Sequence, residues 1–221
     1  MKKLFIVANW KSNKTILETQ EWFQTFNNLH LAFNKEEKEI IVCPPFTLLP
    51  TVQQSIVNGQ LSIVAGTQDI SPFEHGAYTG EVNAQQVKEF ATYVIVGHSE
   101  RRQNFKEDPE MLGKKVAMAL ASGLKPIFCV QGKETPIPEG VEIVAYEPVF
   151  AIGTGHPDTP EDAEDVAKTI KEKHNIPYML YGGSVNPENI HSFTSLPSVD
   201  GALVGGASLD AEKFVAIIKN A

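Results

Sequence analysis

Residues 93–102 read Tyr93-Val94-Ile95-Val96-Gly97-His98-Ser99-Glu100-Arg101-Arg102. The first four are apolar at successive positions, so a strand here has no polar side to show to water and is buried on both faces. His98 then begins a helical turn. A sealed strand followed at once by a helix is the unit of a parallel sheet covered by helices. Similar runs recur at Leu4–Trp10, Glu39–Cys43, Leu61–Gly66, Lys125–Val130, Val141–Glu147, Tyr178–Tyr181 and Gly201–Val204. With Tyr93–Gly97 they make eight strands, which predicts an α/β fold of the (β/α)8 barrel kind, one domain over residues 1–221.

Amphipathic stretches predict helices over Thr15–Leu31, Phe46–Val57, Asn83–Phe90, Pro109–Ala121, Pro160–His174, Pro187–Phe193 and Asp210–Lys219. Pro44-Pro45, Pro109, Pro160 and Pro187 mark helix starts, where a fixed φ and a missing N–H are tolerated. The segment Gln131–Gly140, QGKETPIPEG, is too short and too interrupted by proline and glycine for a helix, and is expected to be a loop or single turn.

The 221 residues carry a net charge of −8, which argues against nucleic acid as a partner. No apolar run reaches the length of a membrane span, and Leu4–Ala8 is too short for the core of a signal peptide, so a cytoplasmic protein with no membrane partner is expected. Cys43 and Cys129 each close an apolar run and read as buried thiols. The six histidines lack metal-ligand spacing, so no metal is expected.

In such barrels the reacting groups gather at the C-terminal ends of the strands. Strand one ends in Asn9-Trp10-Lys11, strand four in Gly97-His98-Ser99-Glu100, and strand six in Tyr146-Glu147-Pro148. A cation, an imidazole and a carboxylate around one mouth suit enolisation: the carboxylate takes a proton α to a carbonyl, while a donor and an ammonium hold the developing charge. The helix start at His98 favours a neutral ring. Tyr181-Gly182-Gly183-Ser184 after strand seven, and Gly205-Gly206 after strand eight before a helix start at Ala207, suit a phosphate.

These motifs, with Thr79-Gly80-Glu81, Ala145-Tyr146-Glu147-Pro148-Val149 and Ala151-Ile152-Gly153-Thr154-Gly155, occur in an order that resembles the triosephosphate isomerase family over nearly the whole chain. The resemblance implies a cofactor-free enzyme of glycolysis and gluconeogenesis acting on a small phosphorylated three-carbon substrate. It implies Glu147 as the base, His98 as the proton shuttle, Asn9 and Lys11 as electrophilic groups, and Ser99 and Glu100 behind them. Gly153, Ser184, Gly205 and Gly206 would bind the phosphate, and Pro148–Asp158 would form a lid with Phe150 packed beneath it. It also implies a homodimer built on the loop Gln68–Gly80, with a tetramer as the alternative for shortened members.

Three features depart from the family pattern. Phe150 stands where tryptophan is common, Gln131-Gly132 replaces an expected Gly-Glu pair, and only 147 − 129 = 18 positions separate Cys129 from Glu147, so a fifth helix is missing. The rival readings are another phosphate-binding barrel isomerase and a barrel that binds phosphate without turnover.

Overall fold

The computed structural model describes residues 2–29, 34, 36–151 and 157–221. Eight strands alternate with helices in chain order: β1 (Leu4–Asn9), α1 (Ile16–Asn28), β2 (Lys38–Cys43), α2 (Leu49–Asn58), β3 (Val64–Thr67), α3 (Ala84–Lys88), β4 (Tyr93–Val96), α4 (Ser99–Asn104), α5 (Pro109–Ala121), β5 (Lys125–Val130), β6 (Ile143–Tyr146), α6 (Pro160–His174), β7 (Tyr178–Tyr181), α7 (Ile190–Thr194), β8 (Gly201–Val204) and α8 (Ala211–Asn220). Every neighbouring pair is parallel, and β1 pairs with both β2 and β8, which closes the barrel.

Strand periodicity sorts the apolar residues into two layers. Phe5, Val7, Ile41, Tyr93, Ile95, Ile127, Cys129, Ile143, Ala145, Leu180 and Leu203 fill the lumen. Their neighbours, such as Ile6, Ala8, Val94, Val96, Phe128 and Val144, pack outward under the helices. This parity matters for the site. Asn9 continues the inward series Phe5, Val7, and Glu147 continues Ile143, Ala145, so the same alternation that buries the lumen aims both side chains at its C-terminal mouth.

Local chemistry sets the boundaries. Thr15 and Glu18 form a capping box on α1, and Asp108, Thr159 and Asp210 cap α5, α6 and α8. Pro109 and Pro160 open their helices as expected, but Pro187 does not. Asn186 Oδ1 accepts from the N–H groups of Glu188 and Asn189, making a side-chain turn that delays α7 to Ile190. The strand expected from Leu61 starts at Val64, because the Leu61 N–H still bonds Ile56 O at the end of α2. Phe46–Leu48 is a 3-10 turn leading into α2.

The helices are not distributed one per strand. Two follow β4, and among the described residues none lies between β5 and β6. There Gln131–Gly140 runs as turns and bends, as its prolines and glycines predict. Ile137 packs inward on the outer core, and Lys133–Asp165 (2.5 Å) and Lys173–Glu134 (3.0 Å) tie the segment to α6.

Candidate active site

His98 is the N-cap of α4, and its Nδ1 accepts the Glu100 N–H at 3.2 Å. That acceptor role leaves the ring proton on Nε2, which lies 2.9 Å from Glu147 Oε1. Glu147 is 1% exposed, and its other oxygen accepts the Ser99 N–H at 2.8 Å. The start of α4 therefore supplies an N–H to each partner of the pair. Gly97 makes the turn possible: its φ is +76°, and a Cβ there would lie 2.8 Å from the Arg102 guanidinium.

Lys11 adopts φ +51°, unusual for a residue with a side chain. Both of its peptide groups are held, the N–H by Asn9 Oδ1 at 3.0 Å and the carbonyl by Gln68 Nε2 at 2.9 Å. Its ammonium reaches Glu100 Oε1 at 2.5 Å and passes Gly205, where a Cβ would lie 3.8 Å from Nζ. One cation thus touches both the His98 side of the mouth and the turn after β8.

Asn9, Lys11, His98, Glu147, Ser184, Gly205 and Gly206 all line one cavity of about 230 Å³. Ser99 is buried, with its N–H on Glu147, and Glu100 pairs with Lys11. Gly153 lies outside the described residues, as do all of residues 152–156 of the stretch read as a lid. The helix start expected at Ala207 is a 3-10 turn over Gly206–Leu209, with α8 following from Ala211.

Leu203 also lines the cavity and is not apparent from the motifs, whereas Gly182 belongs to the glycine turn already read after strand seven. Leu203 was hidden as one apolar residue of a strand, although inward parity beside Gly205 could have found it. Gly182 sits where a Cβ would lie 3.1 Å from Glu147 Cγ, so the turn after β7 packs directly on the carboxylate side chain.

Phe150 is 66% exposed in the 3-10 turn Val149–Ala151, and the loop expected above it lies outside the described residues. The missing carboxylate after Cys129 leaves Arg102 on main-chain carbonyls, Gly97 O at 2.7 Å and Cys129 O at 2.9 Å, with Phe128 beneath it. Burial lowers the Arg102 pKa from its ordinary value. Arg101 turns away to Asp69 and Glu107. Among the described residues no group of three or more histidine, cysteine or carboxylate side chains is placed to hold a metal.

Fold and site define a (β/α)8-barrel enzyme in which Glu147, His98 and Lys11 share one cavity with glycine-rich turns. A family profile for triosephosphate isomerase matches residues 4–142 and 139–221. Proteins named triosephosphate isomerase from Dictyoglomus thermophilum (41% identical over 253 positions, all of both chains) and Aquifex aeolicus (41% over 249, 99% of each) are similar throughout. The one from Thermus thermophilus is 37% identical over 253 positions, again 99% of each chain. The chain belongs to the triosephosphate isomerase family.

Proposed function

We propose that this protein interconverts dihydroxyacetone phosphate and glyceraldehyde 3-phosphate, with Glu147 as base. The observation that carries the reading is the His98–Glu147 pair, 2.9 Å apart, in one cavity with Lys11. Glu147 takes a proton from carbon 1 of the ketose and returns it to carbon 2. The His98 Nε2–H polarises the carbonyl and passes protons between the two oxygens, with Asn9 beside it. Lys11 stabilises the enediolate and the phosphate together. Ser184, Gly205 and Gly206 hold the phosphate from the turns after β7 and β8, with Gly153 as a further donor.

The 2.9 Å contact also means that Glu147 must leave His98 and Ser99 before it reaches a substrate carbon. Substrate polar groups replace those bonds, so the base is loaded only when the cavity is occupied. No helix among the described residues is long and apolar enough to cross a membrane, and a cytoplasmic site of action suits a small metabolite as substrate.

We read the working form as a homodimer. Phe73 and Tyr78 in the loop Gln68–Gly80 stack on each other, centroids 4.1 Å apart, yet remain 41% and 43% exposed. The root of the loop is fixed, Gln68 on Lys11 O and Asp69 on Arg101 and Lys115, so its tip is presented as a rigid knob. Gln131–Gly140 exposes no large hydrophobic side chain among the described residues, which gives a tetramer little to build on.

The deciding experiment is a coupled assay following glyceraldehyde 3-phosphate conversion by the purified chain. Turnover well above the uncatalysed rate is expected. Phosphate binding without turnover would favour the non-catalytic barrel, and turnover of a different sugar phosphate alone would favour another isomerase.

A further inference from the structure

Asp158 is 9% exposed and sits where three elements meet. Its Oδ2 accepts the Tyr146 O–H at 3.1 Å, its Oδ1 accepts the Thr159 N–H at 2.9 Å, and its own N–H donates to the Tyr181 hydroxyl at 2.8 Å. Both tyrosines belong to the outward-facing layer at the C-terminal ends of adjacent strands. Tyr146 immediately precedes Glu147, and its carbonyl accepts the Gly182 N–H at 2.7 Å. Tyr181 immediately precedes the glycine turn, and its hydroxyl oxygen lies 2.2 Å from where a Cβ on Gly183 would stand.

The plain alternative is that Asp158 caps α6. That position is already filled: Thr159 is the N-cap, and its hydroxyl accepts the Asp162 N–H at 3.1 Å. A buried carboxylate is costly unless its hydrogen bonds are satisfied. Here they run to the residue before Glu147 and to the start of the next helix. Asp158 is also the point from which the Tyr181 hydroxyl, wedged under Gly183, receives its donor.

We propose that Asp158 is a positioning residue for proton transfer, one that ties the end of β6 to the end of β7 and so fixes the distance between Glu147 and the turn after β7. This rests on the isomerase reading above. The carboxylate touches no reacting atom. It acts through Tyr146, while the main-chain N–H of Asp158 holds the Tyr181 hydroxyl. Removal of the carboxylate loosens the Tyr146–Glu147 peptide against the Tyr181–Gly183 turn, leaving the main-chain bond from the Gly182 N–H to the Tyr146 carbonyl to join them.

The test compares Asp158→Ala, Asp158→Asn, Tyr146→Phe and the double variant Asp158→Ala/Tyr146→Phe in the full chain. A misplacement of about 1 Å costs on the order of 10²-fold in rate. Asp158→Ala and Tyr146→Phe should therefore each lower kcat about tenfold or more, by a larger factor than any rise in KM. The double variant should be no worse than the worse single. Asp158→Asn, which keeps an oxygen acceptor for Tyr146, should recover most of the rate. Hydrogen exchange read by mass spectrometry should quicken at 146–147 and 181–183 in Asp158→Ala, and not across the remaining strands. Unchanged kcat in both single variants, or losses that multiply in the double, would overturn the proposal. So would unchanged exchange at those amides, whether or not the wild type turns over triose phosphates. A wild type without turnover refutes the isomerase reading alone, and the exchange comparison still decides the role of Asp158.

Discussion

The His98 Nε2–H is spent on Glu147 Oε1 at 2.9 Å, while Nδ1 is occupied by the Glu100 N–H. The imidazole is thereby fixed in one tautomer by main-chain geometry, and the carboxylate it meets is 1% exposed. Glu147→Gln keeps the shape and a hydrogen-bonding oxygen but removes the base. The variant should fold with an unchanged circular dichroism spectrum and lose on the order of 10²-fold or more in kcat. Near-normal turnover would end the proposed mechanism.

Lys11 places one charge beside both the carbonyl side and the turn after β8. Lys11→Met should therefore raise KM and lower kcat together, by on the order of 10²-fold or more in kcat/KM. Steady-state kinetics with both parameters intact would make Lys11 a surface residue.

Lys115 is buried with its Nζ 2.6 Å from both Asp69 and Glu107, and Arg101 completes the group. Burial holds the Asp69 carboxyl above its ordinary range even with those cations beside it. Lys115→Met leaves two buried carboxylates to share Arg101 alone and should cost about 3 kcal/mol in urea unfolding. A loss under about 1 kcal/mol would mean that the acids can be rehydrated.

Burial raises the Cys43 thiol from its ordinary 9.0, and raises Cys129 well above it with the neighbouring Glu147 charge adding to the effect. Neither thiol should react with a disulfide reagent in the folded protein at mildly alkaline pH, and both should react in denaturant. The folded state holds these protons when the unfolded chain releases them, so their stabilising contribution is present below pH 9.0 and falls away above it. Melting temperature should drop through that range, and a Cys43→Ala/Cys129→Ala variant should show a flatter profile. Rapid labelling of the native protein would contradict this burial.

If the knob of Phe73 and Tyr78 seats in a second copy, light scattering at micromolar concentration should give twice the chain mass. Thr79→Arg at the loop tip should lower both mass and activity. A fully active monomer would assign the loop some other purpose.

Much of this was legible in one dimension. The strand parity that buries Val7 and Ile95 in the lumen also placed Asn9 and Glu147 at its mouth, since a two-residue period does not depend on what lies across the sheet. The break at Gln131–Gly140 was equally readable, because proline and glycine act locally. Pro187 misled because Asn186 captured the amides that would have opened the helix. The ordering of strands and their polar ends thus came from the sequence itself, through local periodicity and backbone restrictions. Only the tertiary structure decided that Glu147 rests against His98 and Ser99, that Arg102 falls back on carbonyls, and that Asp158 joins two tyrosines from different strands. Apart from the Arg102 bond to the nearby Gly97 carbonyl, these contacts join residues distant in the chain, whose partners are set by closure of the barrel and not by any neighbour in sequence.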